Sequence, residues 1–262
     1  MKNKTFRNTV GGAIAVVAIA LIGYYGFFAA PVKQEPAAGF AVTAQPIDET
    51  GPGYSITGSY PEISGGVNAG VFNGYMAAVI RDEEDNFKQG LNDANFPVPT
   101  AGGGVGTSTL AIHSTIVATS TNFIGILLSS ENYLVGMAHP FSAMNTVNFD
   151  FATGNNIALG DLFAPGSDYL NVIADYSAKD LADQIKNGTY VSSQDYIAQS
   201  GGLIPDPTNF QVFSITPSAL IIHFQEYQVG PYASGPATTV IPWSALSAVL
   251  SPVGPLSHLF GR

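Results

Sequence analysis

The chain contains no cysteine and few charges. Only 11% of its 262 residues are Asp, Glu, Lys or Arg, against about 25% in an ordinary soluble domain. Without cysteine there are no disulfides, no thiolate metal sites, no cysteine nucleophile and no lipidation at an N-terminal cysteine. Nine basic residues face 19 acidic ones, a net charge of −10. Nothing supplies a basic surface for phosphates, so no nucleic-acid partner is expected. The scarcity of charge does not signal disorder, because 46% of the residues are hydrophobic and such a chain can bury a core. The length allows one large domain or two small ones.

The basic residues are unevenly placed. Lys2, Lys4 and Arg7 precede an uncharged run from Val10 to Ala30. At 1.5 Å per residue that run spans a bilayer core of about 30 Å. Positive charge in front of it predicts a cytoplasmic N-terminus and an extracytoplasmic remainder. The competing reading is a signal peptide, whose apolar region is shorter and ends at an A-x-A-like site. Phe28 and Pro31 flank the best cleavage position poorly, which favours an uncleaved single-pass anchor in the cell membrane. All 19 carboxylates lie beyond the run with six basic residues, so that part carries an excess of 13 negative charges. Such a surface serves solubility, or speeds encounters with a cationic partner.

The rest of the chain divides by composition. Residues 1–9 form a cytoplasmic stub, 10–30 the anchor and 31–53 a Pro/Ala-rich stalk. Apolar residues at Phe72, Tyr75, Met76, Val79, Ile80, Phe87 and Leu91, mostly three or four apart, predict a helix over Val67–Leu91, with the acidic cluster Asp82–Asp85 on or near it. Asn95–Gly106 reads as a loop. Strands are expected at Leu110–Ala118, Phe123–Leu128, Asn132–Met137 and Phe141–Phe151, as an antiparallel meander. A turn at Gly154–Asn156 leads to a helix over Leu170–Ile185, stopped by Asn187-Gly188. Ser192 with Asp195 resembles a capping box for a short third helix. Strands at Phe210–Thr216, Ala219–Glu226 and Thr238–Ile241 precede a final short helix from Trp243, and the tail from Pro252 reads as loose. The order predicts an α+β fold: two small antiparallel-sheet-plus-helix subdomains, residues 54–150 and 151–250, behind an N-terminal transmembrane helix, with residues 251–262 as tail.

The common catalytic patterns are missing. His113, His139, His223 and His258 show no zinc-ligand spacing. There is no G-x-S-x-G elbow and no calcium loop. The run GGGVGTST lacks the lysine of a phosphate-binding loop. No metal, cofactor or catalytic residue is expected. A glycan hydrolase with spatially paired carboxylates stays open, since such pairing leaves no sequence trace. His139, in MAHPF between two strands, either caps the turn or bonds backbone, or else faces a ligand. His223 sits on the strand face opposite Leu220, Ile222 and Phe224, as a structural or solvent-facing residue. Tyr227, Tyr232 and Trp243 serve either as corner packing or as an aromatic platform.

Two stretches carry a family pattern. Tyr133–Phe163 reads Y-x-x-G-x-A-H-P, then N-x-D, then G-x-x-I-x-L-x-D-L-F. Phe224, Tyr227, Pro231, Tyr232, Gly235, Ile241, Pro242 and Leu246 then fit F-x-x-Y-x-x-x-P-Y-x-x-G and I-P-x-x-x-L. With SYPEISGG upstream, residues 54–250 resemble the extracytoplasmic domain shared by RsiV-type anti-sigma factors and the N-terminal region of PdaC-type peptidoglycan deacetylases. The resemblance implies a two-part α+β ectodomain, which in RsiV-type proteins binds lysozyme. The short N-terminal stub leaves no sigma-binding domain, and the deacetylase catalytic region is not matched. The expected function is therefore an anchored extracytoplasmic binding module for peptidoglycan fragments or a cationic wall-active protein such as lysozyme. The alternatives are an envelope glycan hydrolase and a structural envelope accessory. The candidate ligand-binding residues are His139, Tyr227 and Tyr232. Pro231 and Pro242 are expected at strand boundaries and Gly235 at positive φ.

Overall fold

A computed structural model describes residues 39–92 and 106–260. The expected stub (1–9), anchor (10–30), first part of the stalk and most of the Asn95–Gly106 loop lie outside the described residues. Among the described residues no helix is long and apolar enough to cross a membrane.

The described residues form one unit with an α+β architecture. A six-stranded sheet runs in order β1 (Ala41–Gly51), β2 (Tyr54–Ser64), β3 (Ser108–Ser120), β4 (Phe123–Tyr133), β5 (Phe141–Asp150) and β6 (Asn155–Asn156). A smaller sheet holds β7 (Phe213–Ile215), β8 (Ala219–Phe224) and β9 (Ala237–Pro242). The helices are α1 (Ala69–Leu91), α2 (Tyr169–Asn187), α3 (Gln194–Ser200), α4 (Trp243–Leu246) and α5 (Leu256–Leu259).

Three expectations about the first sheet need correction. The supposed stalk is strand β1 over Ala41–Gly51, antiparallel to β2. It is an edge strand with most of its length exposed. An edge position tolerates Pro46, which cannot donate to a ladder, and exposure on both faces erases the apolar alternation. Second, the expected antiparallel meander holds for β3, β4 and β5, but the sheet as a whole is mixed, because β2 and β3 pair in parallel. A parallel pair needs a crossover, and α1 lies within it. Gly58 sits at φ 147° opposite Ile112, and a Cβ there would lie 2.0 Å from the Ile112 carbonyl oxygen. Third, Asn132–Met137 is not a separate strand. β4 continues to Tyr133, and a turn closed by Met137 N–H donating to Leu134 O leads on to β5.

α1 covers one face of this sheet with Phe72, Met76, Ile80 and Phe87, all buried. With Ile56, Leu110, Ile112, Ile124, Ile126, Val147 and Phe149 they make the first core. The Asn73 side chain on α1 clamps β2, accepting from Ile63 N–H and donating to Ile63 O at 2.9 Å each.

The second core is built by α2, the small sheet, Trp243, Leu246 and Leu259. Ala118 and Phe123 from the large sheet also belong to it. Ala118 reaches it because the register of β3 shifts between Ile116 and Ala118, the signature of a bulge that re-aims side chains, and Phe123 because it points to the face of β4 opposite Ile124 and Ile126. α2 ends at Gly188, at φ 72°, as its Asn-Gly stop predicts. The cap of α3 is Ser193, whose hydroxyl accepts from Tyr196 N–H, one residue after the expected Ser192. Phe210 lies in a 3-10 turn before β7 rather than in the strand.

The tail is not loose. Leu259 is buried, Phe260 packs edge-on to Phe123 at 5.4 Å, and Ser120 Oγ donates to Leu259 O. His258 Nε2 meets Asp150 Oδ2 at 2.8 Å.

Candidate aromatic recognition site

The two sheets meet along β5, and side-chain amides make the joint. Asn148 Nδ2 donates to Phe213 O at 2.7 Å, and its Oδ1 accepts from Ile215 N–H at 3.1 Å. Thr146 Oγ1 accepts from Phe213 N–H. Further along, Gln225 Oε1 accepts from Met144 N–H at 2.9 Å and Gln225 Nε2 donates to Met144 O at 2.6 Å. Each amide presents a donor and an acceptor side by side, as a neighbouring strand would. The outer edge of β5 is thereby covered without a continuous ladder. Glu226 Oε2 accepts from Ser142 N–H.

This joint fixes the loop after β8. Gln225 N–H donates to Gln228 Oε1, and Gln228 Nε2 donates to Asn209 O at 2.8 Å. Between them Tyr227 adopts φ 66° and is half exposed, at 47%. An aromatic residue in that region is strained. Tyr196 Oη steadies it by donating to Tyr227 O at 3.2 Å.

Pro231 then opens a 3-10 turn, Tyr232–Ser234, which Gly235 closes at φ 65°. Gly235 thus takes the expected positive φ and Pro242 ends β9. Pro231 does not mark a strand boundary; its fixed φ of −66° starts the turn instead.

The three residues singled out from sequence come together here. Tyr232 stacks on His139 with centroids 3.8 Å apart and planes at 27°. Tyr227 lies 5.8 Å from Tyr232 at 31°. One carbonyl organises the group: Pro140 O accepts Tyr232 Oη at 2.9 Å and faces His139 Nδ1 at 2.9 Å. A carbonyl oxygen only accepts, so the His139 proton on this side is on Nδ1. The result is a pre-set, partly exposed aromatic surface of His139, Tyr232 and Tyr227. Such rings present negative faces that attract cations and apolar faces that cover C–H groups. Trp243 does not join it. It is buried, with Nε1 donating to Thr216 O at 2.9 Å.

Two polar pairs went unanticipated. His223 is buried, with Nε2 3.0 Å from Ser214 Oγ. Burial pushes its imidazole down from 6.5 to about 4. It is therefore structural and not solvent-facing. The pair's residues come from different strands, and only the strand alternation of His223 hinted at a shared face. The second pair, His258 with Asp150, spans 108 positions and left no local signal. Asp150 also accepts from Ala152 N–H and Thr153 Oγ1. Among the described residues no cluster of three or more His, Asp or Glu is arranged to hold a metal ion.

Comparison with known proteins agrees with this architecture. Residues 160–244 match the family described as "Protein of unknown function (DUF3298)". The chain is 32% identical over 112 residues to an esterase of Mycobacterium tuberculosis, covering 43% of this chain and 46% of that protein. It is 30% identical over 116 residues to the immunogenic protein MPT64 of the same organism, covering 44% of this chain and 47% of that protein. It is 25% identical over 135 residues to the peptidoglycan-N-acetylmuramic acid deacetylase PdaC of Bacillus subtilis, covering 52% of this chain and 28% of that protein. The matches span less than half the length of these curated relatives. A DUF3298-family structure from Bacteroides fragilis shares the fold with a TM-score of 0.60 at 16% identity, over 85% of this chain and 98% of that one. Another, from Pseudomonas aeruginosa, gives 0.55 at 14% identity, over 84% and 96%. Residues 160–244 thus match the DUF3298 family, and the chain shows homology over 135 residues to the deacetylase PdaC.

Proposed function

We propose that this chain is a recognition module held outside the cell by its N-terminal apolar segment, and that a cationic wall-active protein docks on His139, Tyr232 and Tyr227. The observation that carries the proposal is the pre-set cluster of these three rings, His139 stacked on Tyr232 and Tyr227 tilted beside it. A Lys or Arg head over an aromatic face gains about 0.5–1 kcal/mol when exposed and more when desolvated. The excess of 13 negative charges beyond residue 30 would steer a basic partner toward the module. The sequence resemblance to lysozyme-binding ectodomains makes lysozyme the first probe.

A wall-glycan ligand is the second reading, favoured by the homology to PdaC, whose name specifies a peptidoglycan substrate. Isothermal titration of the full chain with lysozyme and with muropeptides separates the two. Heat with lysozyme alone supports the first reading, and heat with muropeptides alone replaces it by the second. No heat with either overturns both.

The relative named as an esterase raises an enzymatic alternative. Ser214 and His223 supply a hydroxyl beside an imidazole, but Ser214 has no exposed surface, so a substrate does not reach it in this conformation. Hydrolysis of p-nitrophenyl acetate that disappears in Ser214→Ala would revive that alternative.

A further inference from the structure

A second feature lies on the same joint but away from the aromatic stack. A partly open cavity of about 280 Å³ sits between β5, β6, the first turn of α2 and the 3-10 turn before β7. That is close to the lower end of ligand-pocket sizes, about 300 Å³. We propose that this cavity binds an uncharged, hydroxylated ligand the size of one sugar ring. The proposal goes beyond the docking surface above and does not depend on it.

The lining contains no Asp, Glu, Lys, Arg or His. A charged ligand would lose solvation there without gaining a counter-charge. The polar groups are amides and hydroxyls with capacity to spare. Asn156 Oδ1 is taken by Asn148 N–H at 2.7 Å, which leaves Asn156 Nδ2 to donate. Thr146 Oγ1 accepts from Phe213 N–H, which leaves its hydroxyl proton. Tyr169 and Gln211 also line the cavity, and their hydroxyl and amide have no hydrogen-bond partner among the described residues. By contrast, the Asn148 amide is spent on β7, so it shapes the wall.

These groups are pre-positioned. The Tyr169 ring lies flat on Phe163, with centroids 4.4 Å apart and planes at 5°. Asn156 is fixed by β6 and by its bond to Asn148. Ile157 and Leu159 offer apolar surface for the C–H face of a ring. Donors and acceptors around one apolar wall match a ligand with hydroxyls on its rim and carbon on its face, and fixed groups lower the cost of binding.

The test is an NMR titration of the full chain with N-acetylglucosamine, glucose and glucuronate. The neutral sugars are expected to give saturable shifts at the Asn156 and Gln211 side-chain amides, with millimolar affinity near −4 kcal/mol. Glucuronate is expected to bind about tenfold more weakly, since it brings an uncompensated carboxylate. Combining Tyr169→Phe with Gln211→Ala should weaken the neutral sugars about tenfold, because two unspent hydrogen-bonding groups are lost. Ala158→Trp, at the exposed rim, should abolish the shifts while the thermal midpoint holds. Absent shifts at these amides with the unmodified chain overturn the proposal. So does sugar binding that survives Ala158→Trp and is lost in Tyr227→Ala, which assigns the sugar to the aromatic stack.

Discussion

Tyr227 is held at φ 66° and is half exposed. A left-handed conformation costs an L-residue about 1 kcal/mol, and glycine escapes that cost. If the ring is there for a partner, Tyr227→Gly should raise stability by up to about 1 kcal/mol while removing binding. Chemical denaturation and lysozyme titration of the same variant check both halves. A destabilised variant would make the ring a packing residue. Tyr232 differs, because its hydroxyl reaches Pro140 O across 92 positions. Tyr232→Phe should cost about 1 kcal/mol, read as a lower thermal midpoint. His223 sets an acid limit. Its imidazole titrates near 4 in the fold against 6.5 when unhindered. Above pH 6.5 both states are neutral and nothing is lost. As pH falls toward 4 the unfolded chain takes up a proton that the fold refuses, so stability drops by about 3 kcal/mol and then levels. His223→Gln should flatten that segment of the stability–pH profile.

Among the elements, α1 and α2 were legible because their apolar residues repeat at helical spacing and a Gly closes α2. β4 and β5 were legible as apolar or alternating runs. β1 was not, since an exposed edge strand with a proline has no buried face to write a pattern. The parallel pairing of β2 with β3 was also hidden: period-two alternation reports faces, not neighbours. The tail illustrates a third limit. Two apolar residues, Leu259 and Phe260, anchor it in a core assembled by distant segments. Truncation before Pro252 should destabilise the chain by about 3 kcal/mol, the scale of burying one or two large apolar side chains. An unchanged thermal midpoint would return the tail to the loose segment its sequence suggested.

At the scale of the molecule, the low charge noted at the outset has a structural counterpart. Where other folds use ion pairs or continuous ladders, this one joins its parts with amides. Asn73 holds β2 to α1, while Asn148 and Gln225 hold β5 to the second core. The joint carries the aromatic stack on one side and the uncharged cavity on another. The candidate residues were legible as a set because a histidine before proline and two tyrosines near turns stand out, yet their contact was not, since it depends on that joint. The most direct test of the account is calorimetric titration of the full chain and of Tyr227→Ala with lysozyme at low and at physiological salt. The account predicts saturable binding that weakens as salt screens the acidic surface, and a loss of about tenfold in the variant. Absent binding, or equal binding by both proteins, would contradict it.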